Sequence, residues 1–365
     1  MIINKIKEFF IKSHQNSRRD ILKENEIQEI EKMFITLTSS NNLMTKPSKY
    51  WLELNKMNFV QLKENGFENF KRTIALNYFT WVRIMPWDSQ IIFLLKNLKF
   101  QEIKKCFFFA IRAPKQDFFS SFNFIQSILF NFLTSLMWQY IINLKLDYNT
   151  LQEPTIGNPP LINFNNRQIS QDIINSLLEY DSIMSNIESS KPVSSILELG
   201  AGYGRNAYVF LKLNPNAKYI IVDIPPALWV AQKYLKECFP DRKIFEYQEF
   251  ENFNKIENEF NNSHIIFLLS SQLELLPRNL VDICINISSF HEMRLEQINY
   301  YLQQFSMITK PKGYFYIKQW KIGHVLFENT IIRENDYPIP NDFSKVYSRV
   351  ARVQTKFFEA LYQKK

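Results

Sequence analysis

The chain has 365 residues, 46% hydrophobic and 15% aromatic with 33 Phe, which excludes a disordered or fibrous protein and allows a sizeable core. Its net charge of +8 is scattered, with no long basic run or nucleic-acid module, so no nucleic-acid partner is expected beyond a general preference for anionic ligands. Cys106, Cys238 and Cys284 are sparse and show no metal spacing, which excludes a disulfide framework and suits a reducing, cytoplasmic setting.

Met1 to Phe10 (MIINKIKEFF) carries charges where a secretory signal would be apolar. It reads as a surface helix, with peripheral membrane contact as the alternative. Residues 1 to 145 read as mainly helical, with a single glycine, Gly66. Tyr78, Phe79, Trp81 and Trp87 offer aromatic faces suited to a sugar ring and equally to a core. Phe118 to Leu144 is uncharged and long enough to span a bilayer. Yet Asn123, Ser127, Asn131 and Ser135 recur every four residues, and Ser120, Gln126 and Gln139 add polar groups that lipid would not satisfy. One or two buried helices are therefore expected, and no transmembrane span. Residues 146–168, with Pro154, Gly157, Pro159 and Pro160, read as a loop-rich joint between a helical domain (1–168) and a second domain (169–365). Ile169 to Ile187 reads as a helix with Ile173, Ile174, Leu177 and Leu178 on one face.

The second domain opens with a compressed use of glycine. Only 7 glycines occur in the chain, and Gly200, Gly202 and Gly204 fall within five positions. Ser195 to Leu199 before them reads as a buried strand, and Asn206 to Lys212 after them as a helix ended by Asn214 and Pro215. A strand, a glycine turn and a helix N-terminus make a cradle of free N–H groups. The spacing is neither the dinucleotide fingerprint, because Arg205 stands at its last position, nor a phosphate-binding Walker loop. Lys218 to Val222 reads as the next strand, and Asp223 at its end can accept both hydroxyls of a ribose or cap the Pro225–Phe239 helix. Further strands are Ile265–Leu269, Val281–Ser288 and Tyr314–Trp320; Lys243 to Phe250 is an inserted strand or a loop. This alternation predicts an α/β domain with a doubly wound, mainly parallel sheet and a ligand beyond the strand C-termini.

Glu198-x-Gly200-x-Gly202-x-Gly204 resembles motif I of class I S-adenosylmethionine (SAM) methyltransferases, whose loop wraps the amino-acid part of SAM. Further blocks are GFENFKRTIALNYFTW (66–81), EPTIGNPP (153–160), ISQDIINSLLEY (169–180), the stretch from Ile196 to Leu228, INISSFHEM (285–293), GYFYIKQW (313–320) and DYPIP (336–340). Together they resemble the bacterial sugar O-methyltransferase family. The resemblance implies a Rossmann-like class I methyltransferase domain behind a helical lid or substrate domain, SAM as cofactor, and a sugar or glycoconjugate acceptor. The implied SAM set is Glu198, Gly200, Ala201, Gly202, Gly204, Arg205, Asp223, Ile224, Gln272 and Ser288, Gln272 standing where such enzymes commonly place an acid near the adenine.

Methylating a sugar hydroxyl calls for alignment and for a base. Among His14, His264, His291 and His324, only His291 follows a strand at the ligand edge, and Glu292 beside it can orient it or serve as the base. The alternative is that the pair only caps a turn. A Mg²⁺ mechanism would draw on Glu292, Asp282 and Glu274, but Asp282 begins its strand at the opposite end from Glu292, so no metal site is expected. Tyr78, Trp81, Lys318 and Trp320 are the substrate candidates. Arg205 and Lys318 either hold a nucleotide-sugar phosphate or form structural ion pairs. RNA methylation and a non-catalytic SAM-fold subunit are the rival functions; an Asn-Pro-Pro-Tyr-like tetrad for base N-methylation is absent from the sequence.

Overall fold

A computed structural model of the chain describes residues 22–40, 42–74, 81–116, 124–146, 151–188, 192–325 and 330–365. It divides into two compact units, one built on Asn58–Leu178 and the other on Glu24–Met57 with Glu179–Lys365. Helix α1 (Glu24–Ser39) lies in the second unit, and α2 (Lys49–Asn65) crosses the division. The contiguous split at 168/169 therefore does not hold for Glu24–Met57. The reason is amphipathic: Ile27, Ile30, Met33 and Leu37 recur at helical spacing and are buried. Polar links then fix the helix, with Trp229 Nε1 donating to Glu29 at 2.9 Å and Lys233 pairing with Glu26.

The first unit contains α3 (Ser89–Asn97), α4 (Phe100–Arg112) and α5 (Phe124–Asn143). Among the described residues, α5 alone is long and apolar enough to cross a membrane, but 61% of its apolar window is buried in protein. Its polar row is bonded as the sequence demands. Asn131 accepts from Gln116 Nε2 at 2.9 Å, and Ser127 Oγ accepts from Gln116 N at 2.8 Å. Ser120 and Asn123 lie outside the described residues.

The expected joint holds a hairpin, β1 (Ile162–Phe164) and β2 (Arg167–Ile169). Ile169 pairs with Ile162, so α6 (Gln171–Met184) starts later than predicted. Two blocks distant in sequence interlock here. Lys71 N donates to the Gly157 carbonyl at 2.9 Å, and Lys71 Nζ meets Glu153 at 2.5 Å with both residues buried. Gly157 has φ +78°, and a Cβ there would sit 2.3 Å from the Phe70 ring.

The second unit continues with β3 (Ser195–Leu199), α7 (Arg205–Leu213), β4 (Lys218–Asp223), α8 (Ala227–Cys238), β5 (Ile244–Phe245), α9 (Glu257–Asn262), β6 (Ile265–Leu269) and β7 (Val281–Ile287). Then come α10 (Leu295–Ile308), β8 (Thr309–Trp320), β9 (Ile322–Val325), β10 (Thr330–Arg333), β11 (Phe343–Val350) and β12 (Phe357–Lys364). Among the described residues the central sheet has eight strands in the order β11-β12-β8-β7-β3-β4-β6-β5. From β5 to β8 all pairings are parallel; β12 and β11 add antiparallel neighbours at one edge. This is the Rossmann-like, class I methyltransferase arrangement expected from the sequence. Strands β3, β4 and β6 are buried along their whole length, as parallel strands covered on both faces must be. Lys243 to Phe250 contributes only the two-residue edge strand β5.

The chain runs outward from β3 through β4 to β6, then returns to β7 on the other side of β3. The carboxyl ends of β3, β4, β6, β7 and β8 therefore share one edge. In doubly wound sheets ligands bind where the winding reverses, which here is the point between β3 and β7, beside the glycine turn.

Candidate functional site

The glycine turn is built on left-handed backbone. Gly200, Gly202 and Gly204 have φ of 76°, 60° and 86°. At Gly200 a Cβ would lie 2.4 Å from Ser289 Oγ, so the loop from β3 and the loop after β7 meet at van der Waals distance across the reversal point. Gly200 N–H donates to the Val222 carbonyl at 2.8 Å, and Gly204 N–H to the Ala201 carbonyl at 3.1 Å, which opens α7.

Asp223 stands beneath this turn. Its Oδ2 accepts from Gly202 N–H at 2.6 Å and its Oδ1 from Ile224 N–H at 2.7 Å. Helix α8 begins at Ala227, so Asp223 is not its cap. A carboxylate offers about four lone-pair directions, so two acceptor sites stay available after these bonds. Burial raises the Asp223 pKa to about 7, against the lowering effect of the two N–H groups.

Several predicted cofactor residues have other employment. Glu198 is buried, with Oε1 bonded by Asn206 at 2.9 Å and Oε2 by Tyr219 at 2.8 Å; it braces the turn from behind. Burial lifts its pKa to about 7. Gln272 accepts from Leu269 N at 2.9 Å and donates to the Gln248 carbonyl at 2.7 Å, so its amide braces the loop after β6. Arg205 and Lys318 are buried around Glu179, the Arg205 guanidinium at 2.6 and 3.2 Å and Lys318 Nζ at 2.8 Å. Of the two roles open from the sequence, these side chains take the second, structural ion pairs. Burial acts to raise the Glu179 pKa, but the two cations outweigh it and hold the carboxyl below its usual range. Ala201 is buried within the turn, and Ser288 is half-buried at φ +55° with its N–H on the Lys318 carbonyl at 2.9 Å.

His291 sits in a short turn, Phe290–Glu292, just beyond β7, and is buried. Its Nδ1 lies 2.8 Å from Gln319 Oε1 and its backbone N–H donates to the same oxygen at 3.3 Å. The amide orientations can be deduced link by link. The Leu199 carbonyl can only accept, so Asn286 Nδ2 donates to it at 2.9 Å; Asn286 Oδ1 is then the acceptor for Gln319 Nε2 at 2.6 Å. Gln319 Oε1 must therefore face Nδ1, which carries the proton, and neutral His291 keeps its lone pair on Nε2. Glu292 Oε1 is 3.6 Å from Nε2, placed to stabilise an imidazolium, and its Oε2 is buried without a hydrogen-bond partner. Asn286 and Gln319 were missed in the sequence reading. Their signal was an amide near the carboxyl end of each of two buried strands, VDICINIS and YFYIKQW.

The remaining candidates are dispersed. Trp320 ends β8, partly exposed, its ring 6.4 Å from His291 and 4.6 Å from Phe357. Trp81 belongs to the first unit, where Gln171 grips its backbone N–H at 2.9 Å. Tyr78, Phe79, His14 and Met1 to Phe10 lie outside the described residues. His264 precedes β6 and His324 is exposed on β9. Asp282 begins β7, bonded by Ser194, Ser195 and Lys310, at the opposite end from Glu292. Among the described residues no cluster of three or more His, Cys, Asp or Glu could hold a metal ion.

Residues 42–48 of the second unit reach the loops after β6 and β7 and the first turn of α10. Asn42 Nδ2 donates to Glu274 at 2.9 Å, Ser48 Oγ to the Glu292 carbonyl at 3.2 Å, and Gln297 Nε2 to the Met44 and Lys46 carbonyls at 3.1 and 2.7 Å.

No protein-family profile matches the chain, and no curated protein matches it. Solved structures similar to it include N-methyltransferase NodS from Bradyrhizobium japonicum WM9, at 14% identity and TM-score 0.34, covering 51% of this chain and 96% of that one. Geranyl diphosphate C-methyltransferase from Streptomyces coelicolor A3(2) is similar at 11% identity and TM-score 0.38, over 53% of this chain and 77% of that one. Magnesium protoporphyrin IX methyltransferase from Synechocystis PCC 6803 gives 11% identity and TM-score 0.38, over 53% and 83%. These likenesses are too distant to carry substrate or residue roles; the methyltransferase-type fold rests on the strand order and the turn at its reversal point.

Proposed function

We propose that the chain is a SAM-dependent methyltransferase acting on a hydroxyl of a sugar or glycoconjugate, with His291 as general base. The observation that carries the reading is the chain Leu199–Asn286–Gln319–His291, which links the glycine turn to a histidine with its Nε2 lone pair unblocked by a proton. The residues fit the cofactor: three positive-φ glycines form a cradle, and Asp223 keeps acceptor capacity for two ribose hydroxyls. Bound SAM would supply a methyl group on a sulfonium, transferred to the acceptor oxygen as the C–S electrons return to sulfur. His291 Nε2 takes the hydroxyl proton during that attack, and Glu292 stabilises the resulting imidazolium. Gln319 holds the ring and fixes its tautomer, a positioning role. Trp320, partly exposed beside His291, offers a face to the acceptor ring. The sugar acceptor itself rests on the resemblance of the sequence blocks.

A second reading makes Glu292 the base, favoured by its buried, unpartnered Oε2. Methyl transfer from labelled SAM to a panel of free and nucleotide-linked sugars tests both. His291→Ala should lower turnover about 10²–10⁴-fold with SAM affinity nearly intact, the usual share of a general base. Near-parental turnover in folded His291→Ala, with loss in Glu292→Gln, would move the base to Glu292. Transfer to RNA alone would overturn the acceptor class, and SAM binding with no transfer to any acceptor would favour a non-catalytic subunit.

A further inference from the structure

Helices α3 and α4 of the first unit pack on α5, Phe93 against Tyr140 and Phe107 against Phe132. Buried Cys106 and Ala110 mark the inner side of α4. Its exposed side is unusual, with Phe107 at the boundary, touching Phe132 yet 48% exposed. Phe100, Lys104, Phe107 and Ile111 follow one another at three- and four-residue steps, so they form one stripe, and all four are exposed, Phe100 by 78%. Ile92 and Leu95 are exposed on α3, and Trp87 just before it is exposed by 71%. Apolar groups of this size are normally buried, so an uncovered set marks an interaction surface.

Charge says which partner. Residues 81–116 contain seven Lys and Arg against two acids, Asp88 and Glu102. Both acids are half-buried and occupied at helix starts: Asp88 accepts from Met85 N at 2.9 Å and Glu102 from Lys99 N at 2.8 Å. Lys96, Lys99, Lys104, Lys105 and Arg112 are exposed among the apolar groups. Lys104 and Arg112 lie over the Phe108 ring at 5.9 and 5.7 Å, keeping cation and aromatic together.

We propose that this face of α3 and α4 docks on an anionic lipid surface. Phe, Trp and Ile side chains enter the headgroup–acyl boundary while Lys and Arg reach the phosphates. A second copy of the chain would set two positive faces against each other. Single-stranded nucleic acid would find Ile92, Leu95 and Ile111 where stacking needs rings. The proposal is independent of the methyl-transfer reading.

Vesicle flotation with the full chain tests it. The protein should float with phosphatidylcholine vesicles containing about 30 mol% phosphatidylglycerol, not with phosphatidylcholine alone, and less at high salt. Phe100→Ser with Phe107→Ser, and separately Lys104→Glu with Lys105→Glu, should each weaken partitioning about tenfold or more at unchanged melting temperature. If one pair melts early, the other decides. Absence of flotation in the parent, flotation unchanged in a folded variant pair, loss of a dimer in the variants by light scattering, or RNA binding through these residues without vesicle binding would each overturn the proposal.

Discussion

His291 and Gln319 are two residues whose roles separate by pH. If His291 Nε2 is the base, turnover should show an acid limb, and His291→Ala should abolish it. Gln319→Glu keeps the acceptor for Nδ1–H but adds a negative charge, so the limb should move to higher pH; Gln319→Leu should lower kcat with little change in KM for SAM. A Gln319→Glu profile that superimposes on the parent's would remove the positioning role. Asp223 gives a second pH signature. Its folded pKa, raised to about 7, exceeds the ordinary aspartate value, so between these pH values the folded state holds a proton that the unfolded chain has lost. Stability of the ligand-free protein should therefore fall as pH rises from about 4 to about 7, by a few kcal/mol in order of magnitude. Glu198, also raised to about 7, adds a slope of the same sign. In Asp223→Asn the Asp223 part of the slope should vanish in thermal melts across pH 5–8; an unchanged slope would mean that Asp223 is not the titrating group. A chelator should leave turnover unchanged, since Asp282 and Glu292 stand at opposite ends of β7, while inactivation rescued by Mg²⁺ would restore the metal mechanism.

At the level of elements, the glycine turn and α1 make separate demands. Gly200→Ala would place a methyl 2.4 Å from Ser289 Oγ at φ +76° and push on the Asn286–Ser289 bond that leads to His291. A loss of about 1–3 kcal/mol in stability is expected, with slower turnover. Adding Ser289→Gly clears the contact and should return part of the stability; no recovery would mean that backbone strain alone is responsible. A fragment starting at Ile169 would strip α1 from the sheet unit and expose the surface that buries Ile30, Met33 and Leu37, at about 2 kcal/mol per side chain, so it should be marginal or unfolded. A stable fragment melt would contradict that docking. The turn, Asp223 and the strand preceding His291 were legible because each is local: a positive-φ need shows as glycine, and a strand end shows as a change of polarity. The Glu179–Arg205–Lys318 cluster and the Asn286–Gln319 chain were not, because their members lie 26, 139 and 33 residues apart and only the fold joins them. The bonds of Gln272 to Leu269 N and the Gln248 carbonyl were hidden for a related reason: a loop amide reads the same whether it faces a ligand or the backbone beside it. The hairpin β1–β2 and the antiparallel strands β11 and β12 escaped because three-residue strands, the mostly exposed β11 and the continuously buried β12 all lack the alternation that marks a strand.

Across the whole molecule, one chain joins a helical unit with an exposed cationic, apolar face to a parallel sheet whose winding reverses at a glycine cradle. The central claim is that this cradle holds SAM through Asp223, and isothermal titration of SAM into the full chain tests it most directly. The parent should bind one SAM per chain, with affinity that rises as pH passes about 7, because ribose hydroxyls favour the ionised carboxylate. Asp223→Ala should lose roughly 2 kcal/mol or more of binding, the scale of charge-assisted hydrogen bonds, and a ligand without ribose hydroxyls should show little of that loss. A folded parent that gives no heat with SAM, or Asp223→Ala that binds it as tightly as the parent, would contradict the claim.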